Sequence, residues 1–148
     1  MSLATRKSHP DSPSYEADVK YFKLKVDAGA DSAITQYFYN ADAYFQYVDF
    51  CHAKGIHIPI VPGIMPITNY ENLSRFSNNC GAEIPRWLRN RLEGFGDDKE
   101  SLREFGVEVV TELCHNLLDG GAPGLHFYSM NLASSVTKIW KNLSLSDR

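Results

Sequence analysis

Apolar residues along this chain recur with two periods in alternation, one that of a helix and one that of a short buried strand. Tyr15, Val19, Phe22 and Val26 form a single stripe at helical spacing, with Ser12 placed as cap, Pro13 at the first helical position and Gly29 as the stop. Ser32 to Asn40 follows as a nearly uncharged run rich in β-branched and aromatic residues, which predicts a buried strand. Asn40 can cap a second helix, Ala41 to Lys54, that buries Tyr44, Val48 and Cys51 before Gly55 ends it. Ile58 to Val61 predicts a second strand, broken by Pro62-Gly63. Thr68 and Glu71 have the spacing of a capping box, opening a helix that carries Leu73 and Phe76 and closes at Cys80-Gly81. Pro85 to Leu92 predicts a short helix with Trp87, Leu88 and Leu92 inward. The longest helix starts at Asp97-Asp98, carries Leu102, Phe105, Val109, Leu113 and Leu117, and stops at Gly120-Gly121, with Gly106 marking a close packing contact. Gly124 to Tyr128 predicts a third strand, Asn131 caps a last helix, and a polar tail follows.

Strands alternating with helices imply α/β architecture and a parallel sheet. Residues 1–12 read as a leader or loop, Met1-Ser2-Leu3 resembling an expression leader, and 13–148 as the folded domain. Three strands leave two edges with unpaired backbone groups, and a complete (β/α)₈ barrel needs about 200 residues or more. The pattern therefore predicts part of a larger barrel or sheet. The alternative is a compact open α/β domain containing a further strand.

Gln36 is the polar anomaly in the first strand. Strict alternation puts Ile34, Gln36 and Phe38 on one face and Thr35, Tyr37 and Tyr39 on the other. A buried amide without partners costs about 1–3 kcal/mol, so something polar must meet it: a ligand, the neighbouring backbone or a buried water.

Bulk properties narrow the function classes. The chain has 148 residues, enough for one domain, and 43% hydrophobic residues, enough for a core. A net charge of −3 gives no footprint for nucleic acid, and no basic cluster marks a membrane surface. Cys51, Cys80 and Cys114 are odd in number and widely spaced, which argues against a disulfide scaffold and for a reducing cytoplasm. No apolar run reaches the ~18 residues of a membrane span, and no signal sequence is expected before the first helix. The five histidines show no metal-ligand spacing, and no glycine-rich nucleotide motif follows a strand. Lys20, Lys23 and Lys25 read first as a solvated helix face.

Four segments carry a resemblance. Asp27-Ala-Gly-Ala-Asp31, Ile34-Thr-Gln-Tyr-Phe38, Ile60-Val-Pro-Gly-Ile64 with Pro66 and Ile67, and Gly124-Leu-His-Phe-Tyr128 with Asn131 resemble, in order and spacing, the strand-end motifs of the methylenetetrahydrofolate reductase family. The match runs from about residue 8 to residue 143. It implies the C-terminal half of a TIM-type (β/α)₈ barrel, with three parallel strands and flanking helices, in an enzyme that holds FAD. The implied reaction reduces 5,10-methylenetetrahydrofolate to 5-methyltetrahydrofolate with NAD(P)H, within methionine biosynthesis and one-carbon metabolism.

By the same resemblance His9, Ser12, Asp18, Tyr21 and Lys25 match positions at the FAD diphosphate, ribose and adenine end, while Leu24 stands where some members have a basic residue. Gln36 matches a glutamine that meets the pterin. Phe76 matches an aromatic that stacks on nicotinamide or aminobenzoate, its other reading being a core residue. Asn72 and Tyr128 match substrate-side positions. Leu132 stands where the family's usual Leu-Asn-Arg has an arginine that, by the resemblance, holds the folate glutamate, a pair that leucine cannot form. The family's general acid belongs to the N-terminal half, so no catalytic residue and no metal ligand is expected in this chain.

Two function classes follow. One is a piece of a flavin-dependent reductase, inactive alone, with folate and nicotinamide as small-molecule partners. The other is a self-standing half-barrel whose exposed strand edges make it an oligomerising or ligand-binding module. Across the two classes, those edges call for cover by the missing N-terminal half or by further copies of the chain.

Overall fold

The computed structural model describes residues 2–3, 15–128 and 133–143. The elements run β1 (Ser2–Leu3), α1 (Tyr15–Asp27), β2 (Ala33–Tyr37), α2 (Ala41–Ala53), β3 (Ile60–Ile64), α3 (Tyr70–Cys80), α4 (Arg86–Gly94), α5 (Lys99–Asp119), β4 (His126–Phe127) and α6 (Ala133–Asn142). The expected caps at Ser12 with Pro13 and at Asn131 lie outside the described residues.

Among the described residues the sheet has four strands in the order β1-β2-β3-β4, every neighbouring pair parallel. The three expected strands lie side by side as the sequence pattern requires. The fourth, Ser2–Leu3, falls in the segment read as leader or loop and pairs with Ile34 and Thr35 on the edge of β2. A two-residue strand carries no periodicity, so no pattern along the chain could reveal it.

Strand order that never reverses distinguishes this sheet from doubly wound folds, which turn back at a switch point. Parallel crossovers are almost always right-handed, so steps in one direction put their helices on one face of the sheet, as in a barrel wall. The core lies between that face and the helices. Val19 and Phe22 of α1, Tyr44, Tyr47 and Cys51 of α2, Leu88 and Leu92 of α4, and Leu113, Cys114 and Leu117 of α5 are all buried. Ile34 and Val61, which are register partners on β2 and β3, are only half-buried. The fold is thus α/β of partial-barrel type.

Several helical stripes differ from expectation in rotation. On α2 Tyr47 rather than Val48 is buried, and the Tyr44 hydroxyl donates to the Ile60 carbonyl at 2.6 Å. On α5 the buried line is Leu102, Gly106, Val110, Leu113, Cys114 and Leu117, with Phe105 half-buried and the Arg91 guanidinium 4.7 Å from its ring centroid. Gly106 sets that rotation, because a Cβ there would stand 2.5 Å from the Ile67 carbonyl oxygen, so the helix backbone itself is the contact surface. On α4 Leu88 and Leu92 point inward one turn apart and leave Trp87 52% exposed on the flank. Asn69, not Thr68, caps α3, its side chain accepting from the Asn72 N–H at 3.1 Å. β3 continues through Pro62-Gly63 rather than breaking there.

Burial makes two of the three free cysteines weak acids. Desolvation pushes the Cys51 thiol up to about 11, against a smaller lowering by Tyr47, and the Cys114 thiol up to about 12, both from an ordinary 9.0. Each folded thiol holds its proton more tightly than its unfolded counterpart. The associated stability is complete below pH 9.0 and is lost as pH rises toward 11 to 12. The Tyr44 phenol, raised by burial from 10.0 to about 12, adds loss in the same direction. A disulfide reagent at pH 8 is expected to modify only the exposed Cys80 in the native chain and all three thiols in urea, and the urea midpoint is expected to fall above pH 9. Equal reactivity of all three native thiols would contradict this core.

Candidate functional site

Gln36 lies in an irregular part of β2. Ile34 pairs with Val61 and Tyr37 with Gly63, so three residue steps on β2 oppose two on β3. This irregularity gives β2 one residue more than β3 across the step. The faces still alternate as expected from sequence, with Ala33, Thr35 and Tyr37 buried and Ile34 and Gln36 half-buried; only past the strand, at the buried Phe38, does the alternation stop. The ladder is repaired by a side chain: Thr35 Oγ1 accepts from the Gly63 N–H at 2.9 Å. Thr35 is fully buried, and that bond is what makes a hydroxyl acceptable there.

Three strands are tied together at this point. The Tyr128 hydroxyl, at the end of β4, donates to the Thr35 carbonyl at 2.9 Å, crossing over β3. The crossing is possible because residue 63 is glycine. A Cβ there would meet the Thr35 carbonyl oxygen and stand 2.7 Å from Tyr128 Cε2. The Tyr128 N–H donates to the Ile64 carbonyl at 2.8 Å, continuing the β3–β4 ladder. Tyr37 and Tyr128 contact edge to face, with ring centroids 6.3 Å apart.

Tyr37 also fixes α3, since its hydroxyl and Ser77 Oγ share a buried hydrogen bond of 2.8 Å. Burial raises the Tyr37 phenol above its ordinary value, the Ser77 hydrogen bond opposes the shift and the Cys80 sulfur adds to it, so Tyr37 is neutral in the physiological range. Tyr39 donates to the Met65 carbonyl at 3.1 Å and is raised well above the ordinary value, chiefly by burial.

Within this frame Gln36 is half-buried, and its Oε1 accepts from the Tyr37 N–H at 3.1 Å. The acceptor end of the amide therefore uses neighbouring backbone, one of the outcomes expected from sequence. Its Nε2 has no hydrogen-bond partner among the described residues, which leaves donor capacity at the carboxyl end of the strand. Phe76 is half-buried on α3, one residue before the Ser77 that bonds Tyr37. Asn72 is exposed in the first turn of α3, its Oδ1 accepting from Arg75 Nη2 at 2.7 Å. Tyr128 is half-buried with its hydroxyl proton committed to Thr35, so what it can offer a ligand is its ring and the acceptor side of its phenol oxygen.

The flavin-side positions are separate. His9 and Ser12 lie outside the described residues. Asp18, Tyr21 and Lys25 fall at i, i+3 and i+7 on α1, one stripe of the helix, with Asp18 half-buried and Lys25 exposed. Tyr21 is 69% exposed and Leu24 beside it 60% exposed, while the adjoining stripe, Val19 and Phe22, is in the core. No hydrogen bond described here links this stripe to Gln36. Sequence reasoning missed Thr35, Gly63 and Ser77 as parts of the site, since their contribution is a cross-strand contact with no local signature. Among the described residues no three His, Cys, Asp or Glu side chains converge as a metal site, and no helix is long and apolar enough to cross a membrane.

A singly wound parallel sheet with an amide and aromatic groups at its strand ends belongs to the barrel-type α/β folds. Comparison with known proteins narrows the class. Residues 5–144 match the methylenetetrahydrofolate reductase family, and the chain belongs to it. It is 43% identical over 138 residues to a probable methylenetetrahydrofolate reductase (NADPH) of Caenorhabditis elegans, covering 93% of this chain and 21% of that protein. It is 44% identical to methylenetetrahydrofolate reductase 1 of Schizosaccharomyces pombe over 92% of this chain and 23% of the relative. With the 5,10-methylenetetrahydrofolate reductase of Escherichia coli it shares 35% identity over 93% of this chain and 46% of that one. The chain thus spans less than half the length of these relatives. A solved structure of an uncharacterized protein from Clostridium thermocellum, described as binding two copies of 5-methyl-5,6,7,8-tetrahydrofolic acid, superposes with a TM-score of 0.60 over 88% of this chain and 49% of that one. At 20% identity this likeness speaks for the fold.

Proposed function

We propose that this chain is the folate-side wall of a flavin-dependent methylenetetrahydrofolate reductase, reducing 5,10-methylenetetrahydrofolate to 5-methyltetrahydrofolate with NAD(P)H. The observation that carries the reading is the half-buried Gln36 amide, held at the strand ends with its donor end uncommitted among the described residues. A pterin offers ring nitrogens and a carbonyl to such a donor. The Tyr128 ring, tied to Thr35 beside Gln36, supplies aromatic surface; in this reading Phe76 and Asn72 of α3 contribute a further ring and a polar group held by Arg75.

The donor set for FAD fits in part. Asp18, Tyr21 and Lys25 present one polar, largely exposed helical stripe, suited to a diphosphate and ribose by charge and hydroxyl donation, and His9 and Ser12 would extend it. When bound, the flavin supplies hydride chemistry between nicotinamide and the folate methylene carbon. This chain's residues bind and orient. The strand ends at residues 36–40, 64–67 and 127–128 carry no carboxylate, so we assign proton donation to another part of the enzyme and expect no turnover from this chain by itself. Three free thiols suit a reducing cytoplasm.

Titration with 5-methyltetrahydrofolate, followed calorimetrically, tests the proposal. Saturable binding is expected, and Gln36→Ala is expected to weaken it about tenfold or more, in line with the 1–3 kcal/mol attached to an unpaired buried polar group. Absence of binding to the unsubstituted chain, with native circular dichroism, would favour a half-barrel module of other specificity.

A further inference from the structure

α2 ends at Ala53, and the chain reverses through Lys54 and Gly55 on its way to β3. Gly55 has φ of 84°, a left-handed conformation open to glycine; its N–H reaches the His52 carbonyl at 3.0 Å and the Ile56 N–H reaches that of Cys51 at 2.9 Å. Ile56, fully buried, anchors the reversal. This turn brings His57 back against the last turn of α2. The His52 and His57 rings stand with centroids 5.3 Å apart and planes tilted by 32°. Both residues are exposed, and neither ring is hydrogen-bonded or ion-paired among the described residues.

That separation matches the one two imidazoles adopt on a shared metal ion. An imidazole nitrogen binds zinc at about 2.1 Å, the ring centre lies about 1.1 Å further out, and a tetrahedral angle then separates two ring centres by about 5.2 Å. Because the side chains are exposed, rotation about their torsions can turn a nitrogen of each ring toward a common point. We propose that His52 and His57 form a two-imidazole site for a first-row divalent cation of the zinc class, with water completing the coordination.

The charges around the pair divide. The Lys54 ammonium, 5.5 Å from the Phe50 ring centroid, opposes a cation; so does Lys23 on α1, although it is paired with Asp27 at 3.5 Å. The carbonyls ending α2 favour one, as does Asp49, one turn before His52 on the same helix. Imidazole selects zinc, copper and nickel over magnesium. The pair precedes β3 and so sits at the opposite pole from Gln36 and Tyr128, which makes its occupation independent of folate binding. Histidines five apart match no helical ligand spacing, and only the Gly55 turn makes them neighbours.

Calorimetric titration of the whole chain with zinc chloride in reducing buffer tests the site. One zinc per chain is expected, with affinity weakened about tenfold or more by His52→Gln and likewise by His57→Gln, retained in Cys80→Ser and His115→Gln, and no saturable signal with magnesium chloride. Circular dichroism should show all variants folded, since positions 52 and 57 are on the surface. Lack of saturable zinc binding, or unchanged affinity in the His52→Gln, His57→Gln double variant, would overturn the assignment.

Discussion

Substituting alanine for Gly63 is expected to lower stability by at least 1–3 kcal/mol, the usual cost of forcing a methyl group into a filled space, and to weaken folate binding in the same protein. The added Cβ would meet the Thr35 carbonyl oxygen and would stand 2.7 Å from the Tyr128 ring. The first obstacle is backbone inside the sheet and cannot swing away as a side-chain end could. The ring can move only by giving up its hydroxyl bond to Thr35, which leaves a carbonyl of β2 without that donor. The control is Tyr128→Phe, which removes the hydroxyl without adding volume and should cost about 1 kcal/mol, near the typical net worth of one hydrogen bond. Denaturant melts of both variants, compared by midpoint and slope, check the expectation. If Gly63→Ala were neutral, the three-strand tie would not exist as described.

Phe22→Ala should have the larger effect on stability alone, about 3–5 kcal/mol. Phe22 is 2% exposed, packed between α1 and the rest of the core, and its truncation leaves a ring-sized void in an interior that relaxes only partly. Against a domain stability of about 5–15 kcal/mol this is a major fraction, and a fall in Tm on the order of 10 °C is expected. Leu24→Ala, two residues on, should change stability by less than about 0.5 kcal/mol, because Leu24 is 60% exposed. Thermal melts of the pair separate the core stripe of α1 from the stripe that carries Asp18, Tyr21 and Lys25. Equal losses would mean that the helix is rotated relative to the sheet from the orientation found here.

The candidate site was legible as a set of residues and much less so as an arrangement. Gln36 could be singled out because an amide inside an apolar run conflicts with its surroundings, a contrast visible in any strand. Its local partner, the Tyr37 N–H, lies at the register irregularity between Ile34 and Tyr37. A bulge depends on how β2 and β3 pair, and alternation along one strand carries no information about pairing. Gly63 was read as the end of a strand when it is the place where a tyrosine from β4 crosses. Its reasons for being glycine lie far along the chain in both directions, at the Thr35 carbonyl on β2 and at the Tyr128 ring past β4.

Local rules succeeded where the interaction is local. The glycine stops after α1, α2 and α5 stand as expected, since Gly29, Gly55 and Gly121 all take positive φ and each helix closes through bonds spanning only a few residues. By itself, then, the sequence determined the alternation of helices and strands, their approximate limits, the α/β class and the polar anomaly at position 36. Only the tertiary structure decided which stripe of each helix faces inward, the added strand at Ser2–Leu3, the bulge in β2 and the meeting of His52 with His57. The physical reason is range. Periodicity and capping act within a turn or two of chain, whereas register, helix rotation and ring contacts are settled by packing between segments far apart in sequence.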